Sequence, residues 1–228
     1  MSLPQGQKAK KLLSPVKILA ALVFLTLLIL AVIYRPNLLS ILPLFISVFI
    51  LFLQTRVNRF AYLLGAANSI LYAVAYYLMT LYSQATYALL VSCPVQVLTF
   101  FLWQKNTAQG STRTRKMTAR TRCILVTAML GAWISFYFIF KSFGSEYLLL
   151  DNTVSIIGIV STVLAAFRFS EYALFSLVSG CISLVLYSQM LASDPSRIIW
   201  LVFTAYSVMC CYLTFMNMNR KVKATQKA

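Results

Sequence analysis

The sequence predicts an all-α integral membrane protein of about eight transmembrane helices: one peripheral helix plus a bundle arranged three, one and three. Three observations predict it. Of the 228 residues, 61% are hydrophobic and the mean hydropathy is +0.82, more apolar surface than a soluble domain of this size can bury. The apolar residues gather into eight stretches, roughly 18–34, 37–53, 60–80, 82–103, 123–143, 147–167, 172–192 and 198–216, each about long enough to cross a bilayer as a helix. The basic residues then fall on one side. With the N-terminus inside and the chain alternating, every Lys and Arg except Arg35, Lys141 and Arg197 lies in an inside loop or tail. Basic loops are retained in the cytoplasm, so both termini are expected there, and an odd number of spans would strand one basic tail outside.

Residues 1–36 form the basic N-terminus and peripheral helix. Lys8, Lys10, Lys11 and Lys17 precede an apolar run, as in a signal peptide. No A-x-A-like cleavage site follows, and the run continues to Tyr34-Arg35-Pro36, a helix end and turn, so cleavage is not expected. Between Ile18 and Ile33 the one polar residue is Thr26. A helix apolar on every side is expected to face lipid.

Residues 37–103 make the first three-helix repeat. Asn68, Tyr72 and Tyr76 share one helical face, and Ser92, Gln96, Thr99 and Trp103 share another. Pro94 is expected to kink its span beside Gln96, and Trp103 reads as an interfacial anchor. Residues 104–146 hold a basic cytoplasmic loop, 104–122, and a linker helix. Residues 147–216 make the second repeat, with stripes at Asn152, Ser155 and Thr162, at Ser176, Ser179, Ser183 and Tyr187, and at Trp200, Thr204, Ser207 and Cys211. Residues 217–228 are a basic cytoplasmic tail. A single helix between the triplets gives both the same orientation, the arrangement of a parallel repeat with a substrate path between its halves. Leu81-Tyr82-Ser83-Gln84 recurs as Leu186-Tyr187-Ser188-Gln189, but at different places in the two helices, and reads as coincidence.

Composition also excludes functions. The formal charge of +16 sits in loops and tails, where it sets topology and meets anionic lipid rather than nucleic acid. Five cysteines form no CxxC pair or disulfide framework, and there is no His; neither a metal nor another cofactor is expected. No nucleophile–base pair and no phosphate-cradling loop is visible, which argues against an enzyme and against ATP-driven movement. No acidic or basic residue lies mid-span, which points to uncoupled diffusion rather than proton coupling.

Polar groups within spans tend to face the bundle interior or a water-filled path. Carboxamides offer both donor and acceptor to a neutral ligand, and aromatic rings stack on planar ones. The expected ligand contacts are Asn68, Tyr72, Gln96, Asn152, Ser155, Trp200 and Thr204. The Ser176–Ser183 stripe, with Gly180, reads as helix packing.

Several motifs carry a resemblance. Asn58-Arg59-Phe60 with Gly65 and Asn68, Leu81-Tyr82, and Pro94-Val95-Gln96 running to Phe100-Phe101-Leu102-Trp103-Gln104-Lys105 resemble the first half of the PnuC family of vitamin transporters. Asp151-Asn152-Thr153-Val154-Ser155, Ala166-Phe167-Arg168, Glu171 and Leu186-Tyr187 agree with its second half. The resemblance covers the chain from about Asn37 onward. It implies a three-plus-one-plus-three bundle in a bacterial plasma membrane and facilitated diffusion of nicotinamide riboside or another vitamin. It further implies a separate cytoplasmic kinase that traps the cargo, and is compatible with a homo-oligomer. Riboflavin, thiamine or a deoxynucleoside is the alternative cargo; a non-transporting scaffold or sensor is the alternative class. One departure stands out: the family's Trp-x-x-Trp matches Ala173 and Ser176 here, and the Asn that follows matches Gly180.

Overall fold

A computed structural model describes residues 5–55, 60–106 and 116–226, with side chains over a narrower set: 18–51, 53, 60–102 and 116–216. Expectations for Trp103, for most of the 104–122 loop and for the basic clusters of both tails lie outside these residues. The described chain is helical throughout: α1 (Gln5–Tyr34), α2 (Leu38–Thr55), α3 (Phe60–Leu78), α4 (Tyr82–Thr86), a π-helical stretch (Tyr87–Ser92), α5 (Cys93–Asn106), α6 (Ala119–Ser142), α7 (Leu148–Ala166), α8 (Tyr172–Ser193) and α9 (Ile198–Gln226). Among the described residues, six spans are long and apolar enough to cross a membrane: α3, the α4–π–α5 rod, and α6 to α9. Ile18–Tyr34 and Leu38–Leu51 are shorter apolar helices.

The sequence explains the breaks. Arg35, Thr80 and Arg168 take positive φ at the ends of α1, α3 and α7, reversing the chain where a helix cannot continue. Pro94 is preceded by a wider turn. Its ring has no N–H and would press on the Leu90 carbonyl of a regular helix. The turn before it widens instead to a π-helix, in which the Cys93 N–H reaches back to the Ala88 carbonyl. Such π-segments are often found at functional sites.

Packing closes a ring of six spans. α2 packs on α3, α3 on α5, α4 and α5 on α7, α7 on α8, α8 on α9, and α9 back on α2. α1 lies outside against α2 and α9, and α6 outside against α7. Leu22, Leu25, Val32 and Ile33 of α1 and Ile124, Leu130, Ile134 and Phe138 of α6 are exposed, as lipid-facing helices should be. At the end of the ring where α4, α7 and α9 begin, Met79, Leu81, Leu186, Met190 and Ile199 form a buried apolar plug.

Two carboxylates tie segments distant in sequence. Asp151, fully buried in the first turn of α7, accepts from the Ser83 N–H (3.0 Å), the Gln84 N–H (3.1 Å) and the Ser145 hydroxyl (3.2 Å). It thereby satisfies free amides at the start of α4, where an anion is favoured. Glu171, between α7 and α8, accepts from the Met117 N–H (3.0 Å), Arg122 Nη2 (3.1 Å) and the Ser170 hydroxyl (3.0 Å). Burial pushes its carboxyl up, but these donors outweigh burial and leave it below the ordinary glutamate value.

Candidate functional site: an uncharged cavity inside the helix ring

The six ring helices surround a cavity of about 360 Å³, and none of its described lining residues comes from α1 or α6. Its lining is built from the polar stripes. Among the described residues that line it there is no acidic or basic side chain, but many hydroxyls, three carboxamides and a cluster of rings. That is the lining of a site for a desolvated, orientable small molecule.

The end beside the apolar plug is aromatic. Trp200 sits 5.3 Å from Tyr187, 5.5 Å from Tyr76 and 5.9 Å from Tyr72, and Tyr72 stacks on Tyr76 at 5.4 Å. Each comes from its own position on α3, α8 or α9, where apolar rings pack and polar tips still reach the cavity. One turn further along the same helices a second hollow of about 130 Å³ opens among Thr80, Glu146, Tyr147, Asp194 and Arg197. The rings and the plug separate the two.

The middle holds Asn68. Its Nδ2 donates to the Pro43 carbonyl (3.0 Å) and to Ser47 Oγ (2.8 Å), and Ser47 Oγ in turn meets the Tyr72 hydroxyl at 2.8 Å. Opposite, Tyr87 of the π-helical stretch packs on Gly158, where a Cβ would come within 3.0 Å of its ring, and meets Thr162 Oγ1 at 2.7 Å. Even a methyl group at Gly158 would press on that ring.

The far end is a hydroxyl network. Gln96 Nε2 donates to Ser69 Oγ (2.9 Å) and Ser92 Oγ (2.8 Å), which meet each other at 2.9 Å. A Cβ on Gly65 would collide with the Gln96 carboxamide. Ser161 and Ser176 join α7 to α8 at 2.5 Å.

Of the seven expected contacts, Asn68, Tyr72, Gln96, Trp200 and Thr204 line the cavity. Gln96 does so with its amide hydrogens already engaged. Asn152 and Ser155 do not. Asn152 is fully buried and turns outward, donating to the Trp133 carbonyl of α6 at 2.8 Å, and Ser155 donates to the Asp151 carbonyl one turn back at 2.7 Å. Asn152 and Ser155 of the α7 stripe thus point away from the cavity, whereas Thr162 of the same stripe, with Gly158, lines it. The Ser176–Ser183 stripe, read as packing, also lines the cavity. Gly180 within it does pack closely, its Cβ position 2.7 Å from Val208 of α9. Gln84 and Tyr87 also line the cavity and are not among the seven expected contacts. The one signal for them was Gln84, a carboxamide in an apolar span.

A family model for nicotinamide mononucleotide transporters matches residues 37–219. The chain belongs to this family. A curated member, the nicotinamide riboside transporter PnuC of Neisseria mucosa, is 30% identical over 125 residues, covering 52% of this chain. The chain spans about half (48%) of that relative's length. The crystal structure of the vitamin B3 transporter PnuC superposes with a TM-score of 0.76 at 19% identity, over 92% of both chains, and shares the fold. The described residues contain no cluster of His, Cys, Asp and Glu able to hold a metal.

Proposed function

We propose that this chain is a multi-pass plasma-membrane carrier that moves an unphosphorylated vitamin or nucleoside by facilitated diffusion, nicotinamide riboside first. The observation that carries this reading is the uncharged cavity inside the six-helix ring. A phosphate dianion entering it would meet no Lys or Arg and would lose its hydration without compensation, so the riboside named by the Neisseria relative is favoured over the mononucleotide of the family's description. The riboside's planar ring suits the aromatic end and its hydroxyls suit the serine-rich end. A separate cytoplasmic kinase would then retain the cargo by adding a phosphate, whose negative charge no described side chain of the cavity lining neutralises.

In this reading the shorter helices also span, giving eight crossings. α2, α3 and the α4–π–α5 rod form one repeat, α7, α8 and α9 the other, and α6 links them from outside. Both termini and the 104–122 loop lie in the cytoplasm. The ring closure, with α1 and α6 excluded from the cavity, supports this division. A scaffold or sensor needs no such cavity.

Ala173 and Ser176, where the resemblance leads one to expect tryptophans, favour a second reading: the same carrier with riboflavin, thiamine or a deoxynucleoside as cargo. Ser176 lines the cavity and Ala173 is buried, so this wall is open to a ring of another shape. Proteoliposome uptake tests both readings. Labelled nicotinamide riboside should equilibrate across the membrane with or without a pH gradient, and the mononucleotide should stay outside. Proton-driven accumulation would refute the uncoupled mechanism. Uptake of one of the other vitamins in place of the riboside would establish the second reading.

A further inference from the structure

With α2, α3 and the α4–π–α5 rod as one half and α7, α8 and α9 as the other, the ring closes at two seams, and the two are built differently. The seam between the rod and α7 is hydrogen-bonded along its length. Asp151 of α7 accepts from the Ser83 and Gln84 amides at one end, the Tyr87 hydroxyl meets Thr162 Oγ1 midway, and Arg168 Nη2 donates to the Leu102 carbonyl (3.1 Å) at the other. Among the described residues no hydrogen bond joins α2 to α9. Ser47 of α2 turns to Asn68 and Tyr72 of α3, while Thr204 and Thr214 of α9 donate to carbonyls of their own helix. This seam is apolar instead: Ile41, Leu44 and Val48 of α2 share a buried cluster with Tyr206 and Cys210 of α9. In a bilayer, close packing alone holds such a contact, since lipid tails are as apolar as the side chains.

Helix α1 overlies this apolar seam. It packs on both α2 and α9. Leu19, Val23, Leu27 and Leu30 form one stripe along it and join the same cluster. Leu27 is wholly buried (0% exposed) although its helix lies outside the ring, whereas Leu25 close by is 54% exposed. Phe24 meets Phe45 of α2 edge to face at 5.3 Å, and the link from Tyr34 of α1 to Leu38 of α2 is short. The strap is thus fastened to α2 and leans on α9.

We infer that α1 is a strap across the seam at which the carrier parts. The bonded seam between the rod and α7 is the hinge. The apolar seam between α2 and α9 opens and closes as the cavity changes the side it faces, and Leu27, wedged against both helices, holds the closed form. The chemistry of the two seams suits these roles. A hinge keeps its hydrogen bonds through the motion. Hydrogen bonds across a parting seam would be broken in every cycle and left without partners in hydrocarbon. Apolar contacts carry no such penalty, because lipid tails replace the neighbour that withdraws.

This inference rests on the proposed carrier reading, and the test separates the two. Uptake into proteoliposomes is followed for nicotinamide riboside, riboflavin and thiamine, and variants of the full chain are compared on whichever the wild type carries. Leu27→Ala should raise the uptake rate several-fold and leave the equilibrium level unchanged. Leu25→Ala, on the lipid side, should change neither. Unchanged or slower uptake by a Leu27→Ala protein that a thermal melt shows to be folded makes Leu27 ordinary packing and overturns the strap. A second measurement ties α1 to α9. Counted from the helix ends at Tyr34 and Ile198, Val23 and Cys210 lie eleven and twelve residues in, Leu27 and Tyr206 seven and eight, so each pair is level. Val23→Cys is oxidised with copper phenanthroline against the native Cys210, and Leu27→Cys against Tyr206→Cys, with the wild type oxidised alongside. Peptide mass spectrometry gives the fraction bridged. Uptake should fall in step with that fraction and return on reduction. Full uptake by a bridged chain, or no bridge in either pair, overturns the strap and leaves the carrier reading standing. A wild type that carries none of the three compounds overturns both.

Discussion

The carboxamides of this chain look alike in sequence and differ in what they hold. Asn68 spends its donors on Pro43 and Ser47 and leaves its buried acceptor unpartnered, Gln96 spends its donors on Ser69 and Ser92, and Asn152 bridges α7 to α6. Asn152→Ala should therefore lower thermal stability by about 1 kcal/mol, the usual worth of one buried hydrogen bond, and leave ligand affinity unchanged. Melts and binding curves on the same preparation check this, and a loss of affinity without a loss of stability would return Asn152 to the site. Helical spacing made the polar residues legible, but not the choice between two adjacent faces of α7. That choice depends on where Tyr87, the first residue of the π-helical stretch, packs against Gly158.

Among the elements, the α4–π–α5 rod depends on a residue from another helix. Asp151 supplies the acceptors that the first turn of α4 lacks. Asp151→Ala leaves the Ser83 and Gln84 amides unsatisfied and should cost about 1–3 kcal/mol of stability, while Asp151→Asn, which keeps one acceptor oxygen, should recover part of it. Equal melting of all three proteins would show that the cap is dispensable. Glu171 gives a pH signature at the opposite end. Its folded carboxyl is held below the ordinary glutamate value, so its anchoring is fully present above the unfolded value and is lost as the pH falls through the lowered folded one. Melts taken from neutral to acidic pH should show that loss, and Glu171→Gln should flatten it; an unchanged acid limb would count against the anchor. Span ends were largely legible from hydropathy, since α3, α7 and α8 begin and end within two residues of the apolar limits. Asp151 was legible only as a carboxylate near a surface. Its partner Gln84 is 67 residues away in sequence, and no local pattern announces such a pairing.

For the whole molecule, charge asymmetry and the count of apolar stretches carried the expected class, and the structure supplies the closure of the ring. The orientation reads out directly. Single cysteines placed in the 104–122 loop and near either terminus, in a background free of other accessible thiols, should react with an impermeant reagent only after the membrane is opened from the cytoplasmic side. Labelling of the loop in intact cells would invert the map. Ring closure itself was not legible, because it depends on α9 returning to α2, a contact between the two halves that no periodicity within either half encodes.

The absence of acidic and basic side chains from the described cavity lining has an electrical consequence. A carrier that moves no charge of its own lets the membrane voltage act on the cargo alone. One elementary charge crossing 100 mV is worth about 2.3 kcal/mol, roughly a fortyfold ratio at equilibrium. A pyridinium cargo such as nicotinamide riboside would thus gather on the negative side of a polarised vesicle with no coupled ion, whereas uridine or riboflavin would distribute evenly. Uptake into liposomes carrying a potassium diffusion potential should follow the voltage for the cation and ignore it for the neutral cargo. A voltage response with the neutral cargo would reveal a charge moving with the protein.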